Sequence, residues 1–331
     1  MNRRHVRSHA MKRSTALIAA LPLTLGVLLP APAQAAATTT VSAAVSDASV
    51  TLGDTSVVSG SVSGPAGRTV RLQVQTASGW RTLRSTTTSS TQTYRLVAPS
   101  AWLGGHTLRV QAPETTDATA GASSSRSFSV RPTWSPAGTA SDWRWIASAH
   151  PRYNPCQPII WRFNQNGGYS SSLNDLKVAF HRLSQATGMT FTYGGTTSVT
   201  PRPGNYDSRA TITVGFNTPS QVGSLSGSVA GQGGGGWATH DGYAEMVHGT
   251  LTLDRTERLP AGFTSSGGAT WGQIMEHEIG HTLGLGHASG SNQLMYGVAS
   301  SPNHRFGAGD LSGLRAVGLQ AGCIPNTARR V

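Results

Sequence analysis

The chain has 331 residues, only 12% of them charged, with 26 Lys and Arg against 14 Asp and Glu for a formal net charge of +12. That length is ample for two domains, and the composition is neither membrane-like nor disordered, although Gly, Ser and Thr abound. The basic excess is spread along the chain without a Lys/Arg cluster, which gives nucleic-acid binding little support. Residues 1–35 read as a secretory signal peptide: Arg3, Arg4, Arg7, Lys12 and Arg13 precede an apolar core from Ala16 to Leu29. Ala33-Gln34-Ala35 fits the small-x-small cleavage rule. The apolar run is short for a bilayer span and no second one follows, so the expected product is secreted, extracellular and without a stable membrane span.

Residues 36–132 are rich in Thr, Ser and Val and alternate over short runs. Val70, Leu72 and Val74 interleave with Arg71, Gln73 and Gln75, the period of a strand with one buried face. Leu108, Val110 and Ala112 repeat it, as do Phe128 and Val130. Turn signals at Gly53-Asp54, Gly64-Pro65, Ser78-Gly79 and Gly104-Gly105 separate the runs, predicting an all-β sandwich. It resembles the immunoglobulin-like modules of secreted and surface proteins, a class that contacts extracellular surfaces or polymers. Trp80 and Trp102 are expected in its core. Residues 133–142, Pro-, Gly- and Ser-rich, read as a linker.

Residues 143–331 form the second domain. Ile159 to Phe163 predicts a strand, and Leu173, Leu176, Phe180 and Leu183 a helix that Gly188 closes. Met189 to Tyr193 and Ala210 to Phe216 read as further strands, and Leu251 to Asp254 as the last strand before the next helix. His181 is expected on the surface of the first helix. Between Val222 and Trp237 the glycines, consecutive from Gly233 to Gly236, suggest a flexible loop. Thr270 is placed to cap a helix whose stripe is Met275, Ile279 and Leu283.

That helix carries His277-Glu278-Ile279-Gly280-His281, and Gly284 and His287 follow. Histidines four apart share a helix face, so each can give one nitrogen to a single Zn²⁺. Gly284 suits the left-handed turn that brings His287 round as third ligand, leaving an open fourth position. Glu278 projects beside the metal, where it can act as general base on an activated water.

The string His277-Glu278-x-Gly280-His281-x-Leu283-Gly284-Leu285-x-His287, with Leu294-Met295-Tyr296 beyond it, resembles the metzincin signature and its Met-turn. The likeness is to the matrixins (peptidase family M10) of secreted bacterial type. It implies an α+β metzincin-like catalytic domain: a mixed twisted sheet, a long helix, the active-site helix and a C-terminal helix. It also implies a zinc metalloendopeptidase acting on protein or peptide substrates. Ser228-Val229-Ala230 would then be an edge strand on which an extended peptide pairs. Met295 would form an apolar floor, and Asp310 would cap the closing helix, with Gly309 standing where matrixins carry a first acid. Calcium and a second zinc accompany the family; no acidic loop identifies a calcium site, and His240, Asp241 and His248 lack the H-x-D pattern. The two cysteines, Cys156 and Cys323, suggest a disulfide, with zinc ligation or a metal-blocking cysteine as alternatives. The competing reading of the whole chain is a non-catalytic adhesion or wall-binding protein on a zinc-protease scaffold.

Overall fold

The computed structural model describes residues 36–264, 267–299 and 304–327, so the signal-peptide reading of residues 1–35 lies outside the described residues. Among the described residues no helix is long and apolar enough to cross a membrane.

In chain order the N-terminal strands are β1 (Ala44–Val45), β2 (Ser49–Thr51), β3 (Val57–Ser61), β4 (Thr69–Thr76), β5 (Gly79–Thr87), β6 (Thr93–Val97), β7 (Gly104–Ala112), β8 (Gly121–Ala122) and β9 (Arg126–Arg131). One sheet runs β1-β3-β6; the other runs β2-β9-β7-β4-β5, with β8 beside β7. Period-2 alternation decides their faces. Val70, Leu72 and Val74 of β4, Leu108 and Val110 of β7, and Phe128 and Val130 of β9 are all buried. They meet Val58 of β3 and Leu96 of β6 in one core. Each such side chain contributes roughly 1.5–3 kcal/mol of burial free energy. Trp102 joins this core, but Trp80 does not. Its partner on β4 is Gln75, on the outward face, and the Arg109 guanidinium lies 4.2 Å from the Trp80 ring centroid.

The second region begins with β10 (Arg144–Trp145), followed by β11 (Ile159–Asn164), α1 (Ser172–Thr187), β12 (Phe191–Thr196), β13 (Ile212–Asn217), β14 (Gly231–His240), β15 (Tyr243–Asp254), α2 (Trp271–Leu283), β16 (Leu285–Gly286) and α3 (Ala308–Val317). Its sheet order is β12-β11-β13-β15-β14. The ladders of β11 with β12 and β13, and of β13 with β15, are parallel. β14 alone is antiparallel and forms an edge. α1 buries Leu176, Phe180 and Leu183, with Phe180 stacked on Trp161 at 4.4 Å between centroids. His181 is exposed. α2 buries Met275, Ile279 and Leu283 in the same core.

The glycine run is not a flexible loop. Gly233–Gly236 lies inside β14, paired with Leu251 to His248 of β15. Close approach requires glycine at two of these positions: a Cβ on Gly233 would meet the Glu278 carbonyl oxygen at 1.9 Å, and one on Gly235 the His248 carbonyl oxygen at 2.1 Å. The edge strand starts just after Ser228–Ala230, the stretch expected to form it.

The stretch read as a linker is tied to the residues at the start of α3. Trp134 Nε1 donates to Phe306 O at 3.0 Å, and Ala137 O accepts from Ala308 N at 2.8 Å. The two regions also touch directly. Leu103 N donates to Gln185 O at 2.8 Å and Ala77 N to Gln320 O at 3.0 Å. A Cβ on Gly188 would come within 2.5 Å of the Trp102 ring.

Cys156 and Cys323 form a disulfide with Cα atoms 5.3 Å apart, closing a sequence separation of 167. Replacing both by Ser should cost about 4–5 kcal/mol on chain-entropy reasoning. Chemical denaturation checks this; a loss below about 1 kcal/mol, the size of an ordinary surface change, would show that contacts alone hold the C-terminal segment.

Candidate active site

Thr270 caps α2, its hydroxyl accepting from Gln273 N at 3.3 Å, and Gly284 ends it with φ 109°. The left-handed turn at Gly284 carries the chain back through Leu285–Gly286 to His287. Every residue of α2 is buried, so its histidines and carboxylates are positioned by the core rather than by solvent.

Two backbone carbonyls orient the helix histidines. Nδ1 of His277 lies 2.8 Å from Leu294 O, and Nδ1 of His281 lies 2.7 Å from Leu285 O. A carbonyl only accepts, so each Nδ1 carries the proton and each Nε2 presents a lone pair. His281 Nε2 is 3.1 Å from His277 Nε2 and 3.1 Å from His287 Nε2. The facing lone pairs of His277 and His281 repel at that distance unless a cation lies between them. Nitrogens about 2.0–2.1 Å from a tetrahedral zinc would stand roughly 3.3–3.4 Å apart. Among the described residues these three histidines are the group that could hold a metal ion. Burial, the largest cause in both, pushes the pKa of His277 down to about 4 and of His281 to about 3, keeping them neutral as a metal ligand must be. The donor set therefore fits zinc.

Glu278 stands beside this centre. Its Oε2 accepts from Gly233 N of the edge strand at 2.6 Å, and its Oε1 is 4.0 Å from His277 Nε2. Burial pushes the carboxyl up to about 7, with the Gly233 hydrogen bond opposing. The same glycine thus admits the strand against α2 and fixes the carboxylate. Composition flagged the glycines, but nothing local in the sequence connects them to Glu278.

Below the histidines, Gly280 leaves room for Met295, whose Sδ would be 2.5 Å from a Cβ at that position. Asp310 is not the N-cap residue of α3. Gly307 is the N-cap, and Asp310 sits at the third helical position, where its carboxylate reaches back to Gly307 N at 2.7 Å. It also accepts from Leu294 N at 2.6 Å and Met295 N at 3.0 Å, holding the turn under the site. Gly309 follows from packing: a Cβ there would lie 2.0 Å from Asp142 O. Glu276, next to His277 and 1% exposed, pairs with Arg182 of α1 at 3.3 Å. Neither residue stood out in the sequence, because their pairing depends on how the helices pack.

His240, Asp241 and His248 are not brought together as a ligand set among the described residues. His240 Nε2 is 2.6 Å from Glu245 Oε2, while His248 stacks on Tyr206 with centroids 3.9 Å apart.

The three histidines and Glu278 open onto a cleft of roughly 810 Å³. Ser228 to Gly233 line one side, and Trp145, Ile146 and Val298 are among the residues lining the rest. Residues 159–317 match the family model of the matrixins, peptidase family M10. No curated protein matches the chain.

Proposed function

We propose, from the match of residues 159–317 to the matrixin family model, that the chain is a secreted zinc-dependent metalloendopeptidase. His277, His281 and His287 are its zinc ligands, and Glu278 is its general base. The observation that carries this is the convergence of three imidazole nitrogens, two of them with tautomers set by backbone carbonyls. Zinc bound there would polarise the scissile carbonyl and lower the pKa of a water towards ~7.

The protein's own groups do the rest. An extended peptide pairs along the edge strand β14, which satisfies substrate backbone groups with little regard to side chains. Gly233 N–H holds Oε2 of Glu278, so Oε1 is left to receive the proton of the attacking water and return it to the leaving amine. A buried carboxyl with pKa near 7 suits a group that must both take and give a proton. Residues 36–132, with two sheets around one core, are read as an immunoglobulin-like sandwich and as the place of contact with an extracellular surface or polymer. The disulfide accords with export.

Digestion of a proteome-derived peptide library, followed by mass spectrometry, tests the function. Internal cleavages should appear, vanish with a zinc chelator and return with zinc. A library left intact by zinc-loaded protein would remove the peptidase reading.

A further inference from the structure

His277 and His281 are buried on a helix, but His287 is exposed on the loop beyond it. Its position depends on the backbone either side of it. On both sides that backbone is held by one segment, residues 142–146, which joins the N-terminal region to the catalytic sheet. Before His287, Trp145 pairs with Leu285 and Arg144 with Gly286, and Ile146 N donates to Gly284 O at 2.8 Å. After it, the Asp142 carboxylate bridges two successive amides: Oδ1 accepts from Ser289 N and Oδ2 from Gly290 N, each at 2.8 Å. The fit is close. A Cβ on Gly290 would lie 2.6 Å from Asp142 Oδ2, and one on Gly309 would lie 2.0 Å from Asp142 O. Upstream, Ala137 O accepts from Gln293 Nε2 at 3.2 Å and Ala308 N at 2.8 Å, gripping the same loop and the start of α3.

We propose that Asp142 is a positioning residue for His287, so that the segment leading out of the N-terminal region is a working part of the metal site. The proposal rests on the zinc reading above. A carboxylate accepting two amide hydrogens makes charge-assisted bonds, stronger than neutral ones, and so restrains the two residues that follow Ala288. Without it the third ligand must be ordered when metal binds, and affinity falls by that cost. Partners that orient ligands from outside the coordination sphere typically contribute about 10–100-fold to metal affinity.

The test uses the full chain with Asp142→Ala and Asp142→Asn, and measures zinc affinity by competition with a chromogenic chelator. Asp142→Ala should bind zinc about 10–100-fold more weakly. Asp142→Asn, which keeps one acceptor oxygen, should fall between it and wild type. The thermal midpoint of the zinc-free protein should move little, and peptide hydrolysis should recover at saturating zinc. Arg315→Ala, which removes a hydrogen bond to Gly105 O between the two regions but does not touch the loop, should keep wild-type affinity. Should the Ala variant fail to fold, the Asn variant decides alone. Wild-type affinity in a folded Asp142 variant overturns the proposal, and so does an equal loss in Arg315→Ala. Failure of the wild type itself to bind zinc overturns the zinc reading and this proposal with it.

Discussion

Glu278→Ala should leave a folded protein that holds about one zinc per chain and hydrolyses peptides at least 10²–10⁴-fold more slowly. On the proposed reading the side chain is not a ligand: it lies outside the three-histidine group, its Oε1 is 4.0 Å from His277 Nε2, and its Oε2 accepts from Gly233 N. Its removal therefore deletes the base without touching the donor set. A loss of that size is about 3–5 kcal/mol of transition-state stabilisation. Glu278→Gln should fall almost as far, since the amide fills the space but cannot take a proton. Metal analysis and steady-state rates on the same preparations check both statements. Near-normal turnover in either variant would assign the base to another group.

His281→Ala should instead lose metal and activity together. The residue gives the central nitrogen, 3.1 Å from those of both other histidines, and two imidazoles alone fall short of the three protein ligands of a catalytic zinc. The substitution also leaves Leu285 O without its imidazole donor, which costs about 1–3 kcal/mol if water does not replace it. Zinc added in excess should restore little activity. A variant that keeps stoichiometric zinc and full turnover would show that His281 is not a ligand.

How much of this was legible beforehand depended on the range of the interaction concerned. The histidine string is local: helix geometry puts His277 and His281 on one face, and a glycine at 284 turns the chain to His287, so spacing alone predicted their convergence. Alternation found the N-terminal strands for the same reason, because Val70, Leu72 and Val74 need only their own backbone to share a face. The glycines of β14 read as a loop by composition because what demands Gly233 is the backbone of Glu278, distant in sequence, and what demands Gly235 is the His248 carbonyl of the neighbouring strand. Asp310 lies in the first turn of α3 but is not its N-cap: the carboxylate reaches back to Gly307 N and across to Leu294 N and Met295 N, contacts that depend on residues outside the helix. Residues 133–142 look like a tether by composition. Their contacts run through backbone oxygens and one carboxylate, which composition does not register.

Titrating metal-stripped protein with zinc shows whether His277, His281 and His287 form a zinc site that drives peptide hydrolysis. Bound metal and cleavage of a peptide found in the library digest are followed on the same sample. Hydrolysis should rise in proportion to bound zinc and level off at about one equivalent, the stoichiometry of a single three-histidine site. Binding that saturates without any hydrolysis would contradict the claim and leave a zinc-bearing scaffold for adhesion, and hydrolysis before zinc is added would place the chemistry elsewhere.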